Sequence, residues 1–551
     1  MLSLVRSIFF CFIFFSISST LAQNISLGTP ILDEVIRRDQ LAGEESLKYS
    51  FFYRPFSYEF LPVLKNLIPK DYNNKVSVGL LPLISRTSFN NSRPYGYGNG
   101  LMTPNVGGQQ YLSGGIFGRY KFLQFQLQPE FAISQNRPYR GFGHSGDIGA
   151  IENRFYLWNR GDFPERYGDG MLTRFWWGQS KVTLQAGSVE AGISTQQIWW
   201  GPGQFNALTF SYNAPGFPHF TFNTSKPVKT FLGQFEGQFL IGRLSPSGLA
   251  PSQIDQLNAT FYEPPVSDWR YLNAISLTYQ PKWVTNLFLG FSRTFQQFDH
   301  MRGNSVVDWL PVFEGLIQPS KFARDGSYNN TKDQQVTVFG RYIFTKLMME
   351  MYFEYGRRDH AFNFRDILLN PEHSRAYILG FNKLIPLPES DRHFQIRAEM
   401  TQQLETINYM ARYGASGLFG WHQHSSARGF AHFGQALGVG VGDSGSNVQT
   451  MELSVVDTFN KYGIVLERLE NHQTFFRRAF GDQDEVRPWV DLSFGLLLDR
   501  QWDQFLLSSR LQFINAFNYQ WELHPSSSPE LPRGKDLFSV YAKVDLVYFL
   551  R

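Results

Sequence analysis

The stretch Phe538-Ser539-Val540-Tyr541-Ala542-Lys543-Val544-Asp545-Leu546-Val547-Tyr548-Phe549-Leu550 decides the fold. Phe538, Val540, Ala542, Val544, Leu546, Tyr548 and Leu550 share one parity, and Ser539, Tyr541, Lys543 and Asp545 share the other. Successive side chains of a strand point to opposite faces. One face is therefore wholly apolar and the other carries charge. A strand of a soluble sandwich alternates in the same way, so length is the arbiter. The alternation exceeds the roughly 5–6 residues of an ordinary soluble strand and covers the roughly 9–11 needed to cross a bilayer.

The same pattern recurs upstream. Leu123, Phe125 and Leu127 alternate with Gln124, Gln126 and Gln128, and Glu130 follows. Leu287, Leu289, Phe291 and Phe295 alternate with Asn286, Ser292 and Thr294. Met349, Met351, Phe353 and Tyr355 alternate with Glu350, Tyr352 and Glu354, and Phe394, Ile396, Ala398 and Met400 with Gln395, Arg397, Glu399 and Thr401. Carboxylates such as Glu350 and Glu354 are costly in a dry core. A wet lumen, or pairing with lumen arginines such as Arg397, removes that cost. The expected architecture is all-β: a transmembrane antiparallel β-barrel.

Composition agrees. Aromatic residues make up 17% of the chain, with 53 Phe, against a charged share of 18%. A barrel needs an apolar residue at every second position and aromatic girdles at both interfaces. After residue 22 no apolar run nears the 18 or so residues of a helical span. The formal net charge of +4 is near balance for 551 residues, and no basic stripe or motif points to nucleic acid.

The N-terminus reads as an export signal. Arg6 supplies the charge, Ser7 to Ile17 the apolar core, and Thr20-Leu21-Ala22 the small residues before a cut after Ala22. Residues 1–22 are thus expected to be removed, and with them Cys11, the sole cysteine. Residues 23–48 form a short N-terminal segment. There Thr29-Pro30 reads as a helix start, with Leu32, Val35 and Ile36 on one face through about Leu41. Residues 49–551 are expected to be the barrel. Its long loops fall at Asn90 to Gln110, Leu244 to Asp268, Gln297 to Asp333, Gln403 to Asn447 and Asn471 to Arg487. In barrels of this type the long loops face outward and the short turns face the periplasm.

Four ordered segments carry a family resemblance. The first joins Gly79-Leu80-Leu81-Pro82-Leu83 to Arg93-Pro94-Tyr95-Gly96-Tyr97-Gly98-Asn99-Gly100-Leu101-Met102 and Pro104. The second is Gln128-Pro129-Glu130-Phe131. The third runs from Ile198-Trp199-Trp200-Gly201-Pro202-Gly203 through Asn206-Ala207-Leu208 to Ser211-Tyr212-Asn213-Ala214-Pro215-Gly216-Phe217-Pro218. The fourth runs from Gly429-Phe430 through Gly434-Gln435-Ala436-Leu437-Gly438 to Gly442-Asp443. Together they resemble the capsule-assembly Wzi family, in its Bacteroidetes-type branch, over essentially the whole exported chain. The resemblance implies a monomeric outer-membrane barrel of about 18 strands that acts as a surface lectin for capsular polysaccharide and not as an enzyme. It implies no cofactor. Two departures stand out: the N-terminal helical part is short, and the chain ends on Leu550-Arg551 without a final aromatic.

Sugars offer flat C–H faces and dense hydroxyls, so aromatic rings beside amides and guanidinium groups are the residues to seek. Two groups meet that description: Arg93, Tyr95, Tyr97 and Asn99 in the Gly-rich loop, and Trp199, Trp200, Asn206 and Asn213 in the tryptophan segment. Arg93 would take an acidic sugar. The competing readings are a loop folded into the lumen as a plug for the first group, and a turn shaping the lumen for the second. Glu350, Glu354, Arg397 and Glu399 mimic the paired carboxylates of glycoside hydrolysis, but any polar lumen produces such pairs by spacing alone. His422, His424 and His432, near Trp421 and Arg428, could bind a metal but read as surface loop histidines, and Asp482, Asp484 and Glu485 lack the spacing of a calcium loop. No Gly-x-Ser-x-Gly elbow is present. A pore for sugars or small solutes is the alternative function, since about 18 strands enclose room for a channel.

Overall fold

A computed structural model describes residues 26–43, 49–56, 76–143, 147–314, 331–358, 364–369, 371–372, 374–388, 391–404, 420–442, 445–481 and 483–550. The expected signal segment, residues 1–22, lies outside them.

The chain forms one closed antiparallel barrel of 18 strands. Three of those strands are interrupted. Pro129 has no N–H to donate and parts Leu123–Leu127 from Glu130–Ser134, both of which pair with Gly107–Tyr120. Leu172–Trp176 and Lys181–Ala186 continue one another in the same way against those two pieces. His219–Thr224 and Val228–Lys229 both pair with Gly233–Leu244. Closure comes from Val76–Asn90, which pairs with the C-terminal strand Leu537–Tyr548. Pro82 sits at the one register shift in that first strand, between Leu81 and Ile84.

The period-2 reading gives the faces. Ser539, Tyr541 and Asp545 are buried inward, while Phe538 and Val544 point outward and are exposed. Glu350, Tyr352 and Glu354 are buried inward, whereas Met351 and Phe353 are exposed. Gln395, Arg397, Glu399 and Thr401 are likewise inward and buried. Exposed apolar side chains such as Leu80, Ile116, Leu289, Leu379 and Leu466 make up the outer wall. No described helix is long and apolar enough to cross a membrane.

Phe295 departs from the expected pattern. It has outward parity but is only 2% exposed. The segment after its strand folds back over the wall. Arg293, also outward, donates to the Val312 and Glu314 carbonyls and lies 4.7 Å from the Phe295 ring centre. Tyr271 donates to the Trp309 carbonyl, and Asn273 accepts from the Val312 amide at 3.2 Å. The loop therefore satisfies polar groups that lipid could not.

Short turns cluster at one rim, as at Thr458-Phe459 and Asp503-Gln504, and long connections at the other. Near the short-turn rim a helix, Pro30–Ala42, lies inside the barrel. It begins with Pro30 at its first turn, as expected, but the Thr29 side chain makes no capping bond. Ile31, Leu32, Val35 and Ile36 pack on Phe51, Ile84, Leu506 and Val547, which gives the short helix its tertiary support. Gly43 ends it in the left-handed conformation. At the opposite rim the helices Ile148–Trp158 and Gln473–Phe480 pack into an aromatic cap around Phe142, Phe475 and Trp521.

Candidate functional site

The tryptophan segment enters the lumen from the long-loop rim and meets the N-terminal segment there. Tyr53 and Arg54 pair as a short ladder with Trp200 and Trp199. Trp200 is 1% exposed, donates from Nε1 to Gln238 at 2.8 Å and meets Phe210 edge-on at 4.8 Å. The Arg54 guanidinium stacks 4.1 Å from the Trp199 ring centre. Gly201 turns with φ +107, and a β-carbon there would strike the Glu354 carboxylate.

Two wall carboxylates hold the turn. Glu354 accepts from the amides of Gly203 at 3.1 Å and Leu208 at 2.9 Å. Glu399 accepts from the amides of Gln204 at 2.6 Å, Phe205 at 3.2 Å and Asn206 at 2.7 Å, and from the Tyr352 hydroxyl. Five backbone amides thus converge on two buried wall side chains, which makes a firm anchor. Glu350 is instead paired with Arg341 at 2.5 Å and Arg37 at 3.2 Å. The pairing of Arg397 with Glu350 and Glu354 expected from the sequence does not form. Arg397 bridges Glu452 at 2.5 Å and Glu34 of the inner helix at 2.9 Å. The carboxylates that mimic a hydrolase pair are thus occupied in holding the loop and the helix.

The Gly-rich loop folds inward beside it. Arg93 is 3% exposed, bonds Asp491 at 2.6 Å and sits among the rings of Tyr95, Trp489 and Tyr519. The hydroxyls of Tyr95 and Tyr97 both donate to the carboxylate of Glu467. Asn99 is buried, with its amide turned to the Gly96 carbonyl at 3.5 Å. Asn213 donates to the Ala436 carbonyl at 3.0 Å and accepts from the Gly98 amide at 3.2 Å. Asn206 is 1% exposed. Gln435 binds three of these stretches together, donating to the carbonyls of Gly100, Met102 and Asn213. The first, third and fourth segments singled out in the sequence therefore meet inside the barrel.

The three histidines are buried and not at the surface as expected, because their loop folds inward: His422 reaches the Val439 carbonyl, His424 accepts from the Ser426 and Ala427 amides, and His432 accepts from the Ser245 amide. Burial pushes the His432 imidazole well below its ordinary value, so it is neutral. Among the described residues no three His, Cys, Asp or Glu side chains come together as a metal site.

Among the described residues, three cavities lie around this filling. An outer one of 210 Å³ faces the long loops and takes Arg93, Tyr95, Tyr97 and Asn213 into its wall. Tyr139, Trp158, Tyr167, Trp489, Tyr519 and Asn471 join them. Asn471 is 6% exposed, and its Nδ2 has no hydrogen-bond partner. An inner one of 190 Å³ lies between the helix and the wall and includes Trp199. A third, of 80 Å³, is lined mainly by amides and hydroxyls such as Gln124, Gln185 and Thr221. Trp200, Asn206 and Asn99 border none of the three. The outer-cavity residues that sequence reasoning missed come from loops far apart in the chain, and no local pattern marks them.

The model of the capsule assembly protein Wzi family matches residues 129–462. The chain belongs to the Wzi family. Among solved structures it is similar to Wzi of Escherichia coli, described as an outer-membrane, carbohydrate-binding β-barrel involved in group 1 capsule assembly. That likeness has a TM-score of 0.58 at 13% identity and covers 94% of this chain and 98% of the other. OprD of Pseudomonas aeruginosa is a more distant likeness, with a TM-score of 0.37 at 8% identity over 88% of this chain and 95% of the other. No curated protein sequence matches. This Wzi-family chain is an outer-membrane β-barrel.

Proposed function

We propose that this barrel binds and organises capsular polysaccharide at the cell surface without catalysing a reaction. The observation that carries the reading is the outer cavity. In a Wzi-family barrel, tyrosine and tryptophan rings line a cavity of 210 Å³ on the long-loop side, with Asn213, Asn471 and Arg93 between them. Rings for C–H faces and amides for hydroxyls are what a sugar needs. The E. coli relative is itself described as carbohydrate-binding. A repeating polymer turns one modest site into durable attachment, because each release is followed by local rebinding.

Within this reading Arg93, Tyr95, Tyr97 and Asn213 are the contact residues, and Trp199, Trp200, Asn99 and Asn206 support them from behind. Residues 1–22 direct export. The barrel works as a monomer in outer-membrane lipid, since closure leaves no strand edge to pair. A steady pore fits less well, because the helix and two long loops fill the lumen.

The test is titration of purified protein in detergent with the source organism's capsular polysaccharide, beside an unrelated acidic polymer. Saturable, selective binding is expected, weakened about tenfold, or 1.4 kcal/mol, by Tyr139→Ala. Cells lacking the protein are expected to shed capsule. Equal binding of both polymers, or unchanged cell-bound capsule, would overturn the reading.

A further inference from the structure

The inner cavity is separated from the outer one by very little. Tyr95, Gly96 and Tyr97 are the residues that line both. Both tyrosine hydroxyls of this septum donate to Glu467, and Gln512 donates to the Tyr95 hydroxyl at 2.9 Å. Gly96 lies at φ +94 against the Tyr541 ring, on the inner side.

Behind the septum, hydrogen-bond donors outnumber acceptors. Among the described residues Trp199 Nε1, Arg37 Nη1, Arg54 Nε and Arg397 Nε are buried with no hydrogen-bond acceptor, and all four residues line the inner cavity. Glu452 Oε1 is the one such acceptor among its lining residues. A buried donor without an acceptor carries an uncompensated desolvation penalty, which an acceptor-rich guest would relieve. The wall also carries the aromatic faces of Phe205, Tyr212 and Tyr541. Its cations stand among carboxylates, including Glu34, Asp499 and Asp545, so it suits one anionic residue and not a polyanion.

We propose that the inner cavity is a second glycan subsite, for a single carboxylate-bearing sugar residue admitted from the outer cavity through the Tyr95–Tyr97 septum. The inference rests on the polysaccharide reading and deepens it. The carboxylate lies toward Arg54 and Arg397, and the Trp199 indole donates to a ring or hydroxyl oxygen. Glu467 sets how fast the site fills.

The experiment uses the full exported chain in detergent with glucuronate, glucose and acetate as probes. Glucuronate is expected to bind at least tenfold more tightly than glucose or acetate. Trp199→Phe keeps a ring over Arg54 and removes only the indole donor, and is expected to weaken glucuronate at least fivefold. Tyr95→Phe with Tyr97→Phe is expected to speed glucuronate association at least tenfold. Heat-modifiable migration on gels checks that each variant is folded, and Phe205→Leu replaces Trp199→Phe if the latter is not. Equal affinity for acetate would mean an anion site only. No binding, or binding and rates indifferent to the variants, would mean a cavity holding water, and either result overturns the proposal. Capture of the polymer by the same wild-type preparation is scored separately, so loss of that capture marks failure of the broader reading.

Discussion

Gly201 illustrates how much rests on single positions. Its φ of +107 belongs to glycine, and the Glu354 carboxylate occupies the space a β-carbon would take. Gly201→Ala should therefore both strain the turn and push it off its anchor. A cost of about 1–3 kcal/mol is expected, read as a lower unfolding midpoint on heat-modifiable gels. An unchanged midpoint would show that the turn is not held as described. Trp200→Phe should be milder, losing the bond to Gln238 and about 1 kcal/mol. At this scale the sequence was only half legible. Residue type flagged Trp199, Trp200, Arg93 and Tyr95, but not that each would be buried on a partner more than a hundred residues away: Arg54 for Trp199, Tyr53 for Trp200, Asp491 for Arg93 and Glu467 for Tyr95.

Among the elements, the inner helix is the most exposed to charge. Burial alone would raise the Glu34 carboxyl, but Arg397, then Lys461 and Arg38, outweigh it and hold it down to about 2. A depressed folded value stabilises above the ordinary 4.5 and is lost as pH falls toward 2. The helix should thus dock equally well at pH 7 and pH 5 and loosen between about 4 and 2. Glu34→Gln should cost on the order of 2 kcal/mol at pH 7. That is below the roughly 3–5 kcal/mol of a fully broken buried pair, because Glu452 still serves Arg397 and Asp499 still serves Lys461. Melting of wild type and variant across pH checks this, and the two curves should converge near pH 2. Strands were the legible elements, because period 2 is local and a one-residue slip would reverse every face. Phe295 shows the limit: parity placed it outward, but the loop that covers it belongs to tertiary structure.

For the molecule as a whole, the expectation of about 18 strands came with the family likeness. What alternation could not show is a lumen filled from both ends. Among the described residues, helix and loops occupy the lumen and leave cavities of 80, 190 and 210 Å³ between them. Planar bilayers holding the wild-type protein are accordingly expected to stay silent, and a variant lacking residues 26–43 to show steps of current. Steady conductance from the intact protein would restore the pore reading.

The seam between Val76–Asn90 and Leu537–Tyr548 has a consequence for how the molecule holds together. The chain's own beginning, Pro30–Ala42, lies enclosed by a ring that only its last strand completes. Ion pairs to Glu350, Arg397 and Lys461 tie three separate staves of that ring to the one plug. Stopper and vessel therefore brace each other, and whatever loosens the plug slackens the hoop around it.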